Sequence, residues 1–142
     1  MKNIEKTLGY NFKDKNLLKK SLTHRSYAHE KKTQDNEVLE FLGDSVLSLT
    51  ISKILIESNS SMSEGQLTKK RHELVCQAGL AKVAKSINLG NYILLGNGEA
   101  KNNGSQKDSI LADTLEAIVG AIFTDSDFET SLKIVKFLFK IN

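Results

Sequence analysis

Asn36-Glu37-Val38-Leu39-Glu40-Phe41-Leu42-Gly43-Asp44-Ser45-Val46-Leu47 sets three carboxylates inside a run of large apolar residues. At about 100° per residue, with Glu37 taken as zero, Glu40 falls at about 300° and Asp44 at about 340°. The three share a stripe roughly 60° wide, which continues into Leu47, Ile51, Ile54 and Leu55. The other side carries Leu39, Leu42, Val46 and Leu49. The pattern predicts a helix from about Asn36 to Ser58, apolar nearly all round and therefore buried. Carboxylates in line with its apolar residues are costly unless something positive pairs with them.

A second segment repeats the anomaly. In Ser109-Ile110-Leu111-Ala112-Asp113-Thr114-Leu115-Glu116-Ala117-Ile118-Val119-Gly120, Asp113 and Glu116 stand one turn apart, with Ala117 and Gly120 on their face. Leu111, Leu115, Ile118 and Ile122 take the other face. Small residues beside the acids let another helix approach closely, and Gly43 is the natural counterpart. Docked so, Glu40, Asp44, Asp113 and Glu116 converge. Such a cluster repels itself and raises its own pKa values unless cations neutralise it. An all-oxygen donor set without His or Cys selects hard divalent ions, Mg²⁺ or Mn²⁺, over zinc. Two such ions about 4 Å apart suit phosphodiester cleavage, activating a water and stabilising the leaving oxygen.

The flanking sequence is helical in pattern and lacks proline. Asp14 can cap a helix carrying Leu17, Leu18 and Leu22. Ser63 and Gln66 make a capping box that opens a helix over Glu64 to Val75. A further helix from about Gln77 to Leu89 is expected to stop at Gly90 in the left-handed conformation. Gly96 to Ser105 reads as a loop, and helix resumes from about Lys107 to Thr124. Ser126 and Glu129 suggest a second capping box, opening a final helix with Phe128, Leu132, Val135 and Phe139 on its buried face. No alternating strand, internal repeat or linker interrupts residues 1–142, so the expectation is a single all-α domain.

With 39% hydrophobic and 26% charged residues, the chain is expected to fold. No apolar run reaches the length of a membrane span. Met1 to Tyr10 is charged and lacks the apolar core of a secretory signal. One cysteine, Cys76, excludes an internal disulfide and reads as a core thiol. A reducing cytoplasm is the expected location. The net charge of +3 is modest, but committing four acids to metal would leave the remaining surface more positive. Lysine supplies most of that positive charge, and it suits backbone phosphate better than base reading.

The acidic segment closely resembles the signature of the ribonuclease III family of double-stranded-RNA endonucleases. Leu22-Thr23-His24-Arg25-Ser26-Tyr27, Glu64-Gly65-Gln66-Leu67-Thr68, Gly96-Asn97-Gly98-Glu99 and Ser109 to Ala117 resemble the family's other blocks, in order and at similar spacing. The resemblance covers essentially the whole chain as a bacterial-type catalytic domain. It implies that Glu40, Asp113 and Glu116 are metal ligands and that Asp44 and Glu116 are essential to chemistry, with Asp44 also near a metal. Glu37 and Glu64 match accessory acids of the cleavage site. It further implies a homodimer in which Phe41 enters a socket on the partner and each site cuts one RNA strand. The products would be 5′-phosphate and 3′-hydroxyl ends with a short 3′ overhang, in rRNA or mRNA processing.

This sequence departs from the family pattern in places. Val38 stands where many members have Arg, and Asn103-Gly104 replaces a common Gly-Gly pair. The usual enzyme continues into a double-stranded-RNA-binding domain, whereas this sequence stops at Asn142, as a natural short form or an excised domain. Lys69, Lys70 and Arg71, with Lys101 and Lys107, are candidates for RNA phosphate. Solvated basic faces would look the same. His24 reads as a structural hydrogen-bonding residue. Two other readings stand beside the nuclease. One is a non-cleaving RNA-binding or RNA-processing adaptor. The other, on the acids alone, is an all-α Mg²⁺-dependent nucleotide pyrophosphatase.

Overall fold

The computed structural model describes residues 2–141; Met1 and Asn142, the ends of the expected 1–142 domain, lie outside the described residues. In chain order the helices are α1 (Lys2–Leu8), α2 (Lys15–Ser21), α3 (Arg25–Lys31), α4 (Glu37–Ser58), α5 (Glu64–Val75), α6 (Gln77–Ser86), α7 (Asn97–Lys101), α8 (Asp108–Asp125) and α9 (Phe128–Phe139). Two 3₁₀ turns, Leu89–Tyr92 and Gly104–Gln106, flank α7. The all-α expectation holds. The described residues contain no strand, only one isolated parallel bridge between Thr23 and Leu94.

α4 and α8 form the principal helix pair. Their backbones nearly touch where glycines face each other. A Cβ on Gly43 would lie 1.7 Å from the Glu116 carbonyl oxygen, and one on Gly120 would lie 2.2 Å from the Leu39 carbonyl oxygen. Ile51, Ile54 and Leu55 of α4 and Leu115, Ala117, Ile118 and Ala121 of α8 are buried there. α2, α6 and α9 pack around the pair, adding Leu18, Leu80, Ala84, Val135 and Leu138 to the same core. That shared core is what fixes the acids on one helix against those on the other.

Several boundaries differ from the sequence reading. α6 stops at Ser86, and Asn88, not Gly90, takes the left-handed conformation at φ 53°. Gly90 is needed for another reason: a Cβ there would lie 2.3 Å from the Ser105 carbonyl oxygen. The stretch expected as a loop winds into α7 and a 3₁₀ turn. α9 is capped by Asp127, whose side chain accepts from Thr130 N–H at 2.8 Å, so the Ser126–Glu129 box does not form. The buried face of α9 is Ser131, Ile134, Val135 and Leu138, rotated from the expected one, and Phe128, Leu132 and Phe139 are only half-buried. Cys76 is half-buried at the α5–α6 corner rather than in the core.

The largest correction concerns α4. It is not buried all round: Val38, Leu49 and Ile56 are each more than half exposed, and Phe41, which the resemblance sets in a socket on a partner, is exposed as that requires, at 79%. These four fall within roughly 80° of one another on the helix, forming an apolar stripe that faces away from the core.

Candidate metal centre

The first turn of α4 is anchored from outside the helix. Buried Asn36 receives no cap role; its side-chain amide donates to the Ser21 carbonyl at 3.0 Å, and its N–H donates to the Thr23 carbonyl at 3.0 Å. Asp35 caps instead, accepting from Glu37 N–H at 3.0 Å. These bonds hold Glu37 and Glu40 in place where α4 meets α8. Because Gly43 and Gly120 let the two backbones close up, Glu116 and Asp113 of α8 reach the same space. One carboxylate oxygen from each of Glu40, Asp113 and Glu116 lies within 4.8 Å of the others. Asp44 is within hydrogen-bonding reach of Glu116. Glu37, Glu40, Phe41, Asp44 and Glu116 line a cavity of about 440 Å³. A larger groove of about 1140 Å³ opens beside it, bounded by Glu37, Glu40 and Asp113 and, opposite, by His24, Arg25, Glu99 and Lys107.

The cluster is electrostatically strained. Burial pushes the Glu116 carboxyl up to about 8, helped by the Asp44 hydrogen bond and the charges of Asp44, Glu40 and Asp113. Burial likewise raises Glu40 to about 7, with Asp113, Glu37, Asp44 and Asp35 adding repulsion. Asp113 is raised by burial and by Glu37, against an opposing pull from His24. None of the ion pairs among the described residues involves these acids. Convergent carboxylates with no cationic side chain, offering only oxygen, fit a hard divalent cation.

Residues 14–141 match the family described as Ribonuclease-III-like. This chain belongs to that family. Over 139 residues it is 46% identical to ribonuclease 3 of Caldanaerobacter subterraneus subsp. tengcongensis, covering 96% of this chain and 61% of that protein. It is 50% identical over 132 residues to ribonuclease 3 of Campylobacter jejuni, covering 91% of this chain and 58% of that protein. The chain thus spans about three fifths of the length of the curated relatives it matches. Among solved structures it resembles the nuclease domain of ribonuclease III from Campylobacter jejuni, with TM-score 0.92, 45% identity and coverage of 99% of this chain and 93% of that one. A second structure of that domain, described as flexible in a region involved in dimer formation, gives TM-score 0.91 at 46% identity, covering 97% and 94%.

The remaining residues singled out from the sequence fall in different places on this ribonuclease-III-like scaffold. Glu64 is exposed in the first turn of α5, accepts from Thr68 Oγ1 at 2.8 Å, and lines a separate cavity with Ser52, Ile56 and Arg71. Within one chain it does not join the other acids. Lys69, Lys70 and Lys101 are exposed. Arg71 donates to Ser52 Oγ at 2.9 Å, tying α5 to α4, and Lys107 pairs with Glu99 at 2.6 Å across the groove wall. Two further acids bear on the site: Asp35, whose charge acts on Glu40, and Glu99, which lines the groove. An acid directly before the signature was the available signal for Asp35. His24 has the structural role its sequence context suggests: it caps α3, its side chain accepting from Ser26 N–H.

Proposed function

We propose that the chain is the catalytic part of a metal-dependent endoribonuclease that hydrolyses phosphodiester bonds of double-stranded RNA, leaving 5′-phosphate and 3′-hydroxyl ends. The observation that carries this reading is the convergence of Glu40, Asp44, Asp113 and Glu116 at the α4–α8 crossing without a cationic partner. Glu40, Asp113 and Glu116 would hold the ion, and Mg²⁺ is the proposed occupant, with Mn²⁺ able to substitute. When bound, it supplies Lewis-acid polarisation of the phosphate and an acidic water.

The protein residues do the rest. In the metal-free chain Asp44 lies within hydrogen-bonding reach of the Glu116 carboxyl, and it would stand beside the ion once that carboxyl ionises. Glu116 and Glu40, whose proton affinities are raised, release their protons when a cation takes the site. Glu37 at the mouth of the cavity is placed to act beside the scissile strand. Of the basic residues expected at RNA phosphate, Lys69, Lys70 and Lys101 are exposed and are the proposed contacts, in a shape- and backbone-directed mode suited to A-form duplexes, whereas Arg71 and Lys107 would have to leave Ser52 and Glu99 to join them.

The exposed stripe of Val38, Phe41, Leu49 and Ile56 supports a homodimer, with Phe41 as its central anchor. A contiguous exposed apolar stripe that includes an aromatic at 79% exposure marks a surface suited to a protein partner. Glu64 of α5 would then act near the cleavage site only in the assembled pair. We take residues 1–142 as one catalytic domain. No helix among the described residues is long and apolar enough to cross a membrane; the cytoplasm, and a role in rRNA or mRNA processing, belong to the proposal.

A labelled RNA duplex, single-stranded RNA and free nucleotides, each with and without Mg²⁺, test the activity together. Cleavage of the duplex alone, and only with metal, is expected. Hydrolysis of free nucleotides would favour a pyrophosphatase, and metal-independent binding without cleavage would favour an adaptor.

A further inference from the structure

The groove beside the acids is lined by the His24 ring, one of whose nitrogens has no partner among the described residues. His24 Nδ1 accepts the Ser26 N–H at 3.2 Å and lies 2.7 Å from Ser26 Oγ. Ser26 Oγ itself accepts the Gly96 N–H at 2.9 Å, so its own hydrogen is free for Nδ1. Two donors directed at Nδ1 leave that nitrogen without a hydrogen. The neutral ring must therefore carry its hydrogen on Nε2.

The ring is also held firmly. His24 N–H donates to the Leu94 carbonyl at 3.0 Å, and Leu94 N–H donates to the Leu22 carbonyl at 2.8 Å. On the far side of Ser26, Asn97 N–H donates to Glu30 Oε1 at 2.8 Å, which closes α7 onto α3. His24 lines the groove with Glu37, Glu40 and Asp113, and no acceptor for Nε2–H is found among the described residues. A ring nitrogen that carries a hydrogen cannot ligate a cation, which sets His24 apart from the acids across the groove. In the free chain water can accept from Nε2–H, and a strand seated in the groove can replace that water with one of its own oxygens.

We propose that His24 holds the substrate, its Nε2–H donating a hydrogen bond to a backbone oxygen of the RNA strand in the groove. The inference rests on the duplex-RNA reading above and adds a residue to it. The helix cap and the substrate contact use opposite nitrogens of one ring, so they separate by substitution. His24→Asn keeps a side-chain oxygen that can cap α3 but loses the Nε2 donor. His24→Gln loses the cap but places an amide donor at the Nε2 reach.

The test measures thermal midpoint, KM and kcat for a short RNA duplex with Mg²⁺ in wild type and both variants. For His24→Asn we expect an unchanged midpoint, a KM raised about fivefold to tenfold, and little change in kcat, as for the loss of one hydrogen bond to a charged or polar oxygen. His24→Gln should melt lower yet keep a KM nearer wild type. A wild-type KM in His24→Asn, or a KM that follows thermal midpoint across the pair, overturns the contact and leaves His24 as a cap. A wild-type chain that leaves the duplex uncut fails at the earlier step and takes this contact with it.

Discussion

Ionising Glu116 is harder in the folded chain than in the unfolded one, because burial and Asp44 favour the protonated form. An acid whose folded pKa is raised binds more protons when folded, so stability falls as pH rises. The window opens at the ordinary value of about 4.5 and closes at about 8 for Glu116, and at about 7 for Glu40. The metal-free protein should therefore melt progressively lower from about pH 5 to pH 8, and Mg²⁺ at the upper end should reverse much of the loss. Glu116→Gln removes a charge from the cluster and should stabilise the metal-free protein at pH 8 by on the order of 1 kcal/mol, after allowing for solvent screening. The same change should lower cleavage by at least about 100-fold. Thermal melts across pH and a duplex cleavage assay measure the two effects. Cleavage within a few-fold of wild type would exclude Glu116 as a metal ligand. At this scale the sequence was informative: acids in the phase of buried residues on two separate segments announced their own convergence. His24 was only half legible. Its cap is local, but the fixed tautomer depends on Gly96, far along the chain.

The helices themselves were largely legible, because their apolar periodicity and the Ser63–Gln66 box are local properties. Their ends and rotations were less so. Asn88 serves as the left-handed residue where Gly90 was expected, and Gly90 instead makes a tight approach to Ser105. α9 turned a different face inward because the neighbours against which it packs, not its own pattern, chose between nearly equivalent apolar stripes. The α4–α8 crossing was anticipated from the small residues and is the element most sensitive to change. Gly43→Ala places a methyl 1.7 Å from the Glu116 carbonyl oxygen, a backbone atom that cannot swing aside. The helices must separate, and we expect a loss of about 3 kcal/mol or more in chemical denaturation. Activity should fall further than stability does, since the same displacement draws Glu40 away from Glu116. Gly65→Ala, at a position with open space around it, is the control and should leave denaturation nearly unchanged.

For the molecule as a whole, the sequence concealed which apolar residues of α4 other than Phe41 face outward, because a helix with an exposed apolar stripe has the composition of one buried all round. Phe41→Ala should weaken self-association by at least about tenfold while leaving the folded subunit intact, the behaviour of a central interface anchor. Sedimentation of wild type and variant over a concentration series decides it, and an unchanged association constant would remove Phe41 from the interface. Substrate affinity is set at the same scale. The chain carries only +3 net charge, and of the candidate contacts Lys107 is paired and Arg71 is tied to Ser52, leaving Lys69, Lys70 and Lys101 exposed. If three lysine–phosphate contacts hold the duplex, counterion release lowers affinity by about 40-fold between about 50 and 200 mM salt. The proposed dimer would soften this, since two sites on one duplex would act as linked contacts. Fusing a double-stranded-RNA-binding domain to the 142-residue chain should then lower KM far more than it alters kcat at saturation, because it adds binding that is equal in the ground and transition states. Steady-state cleavage across that salt range, with and without the fused domain, measures both effects. A KM for the bare chain that stays constant across the range would mean that contacts other than lysine and phosphate hold the RNA.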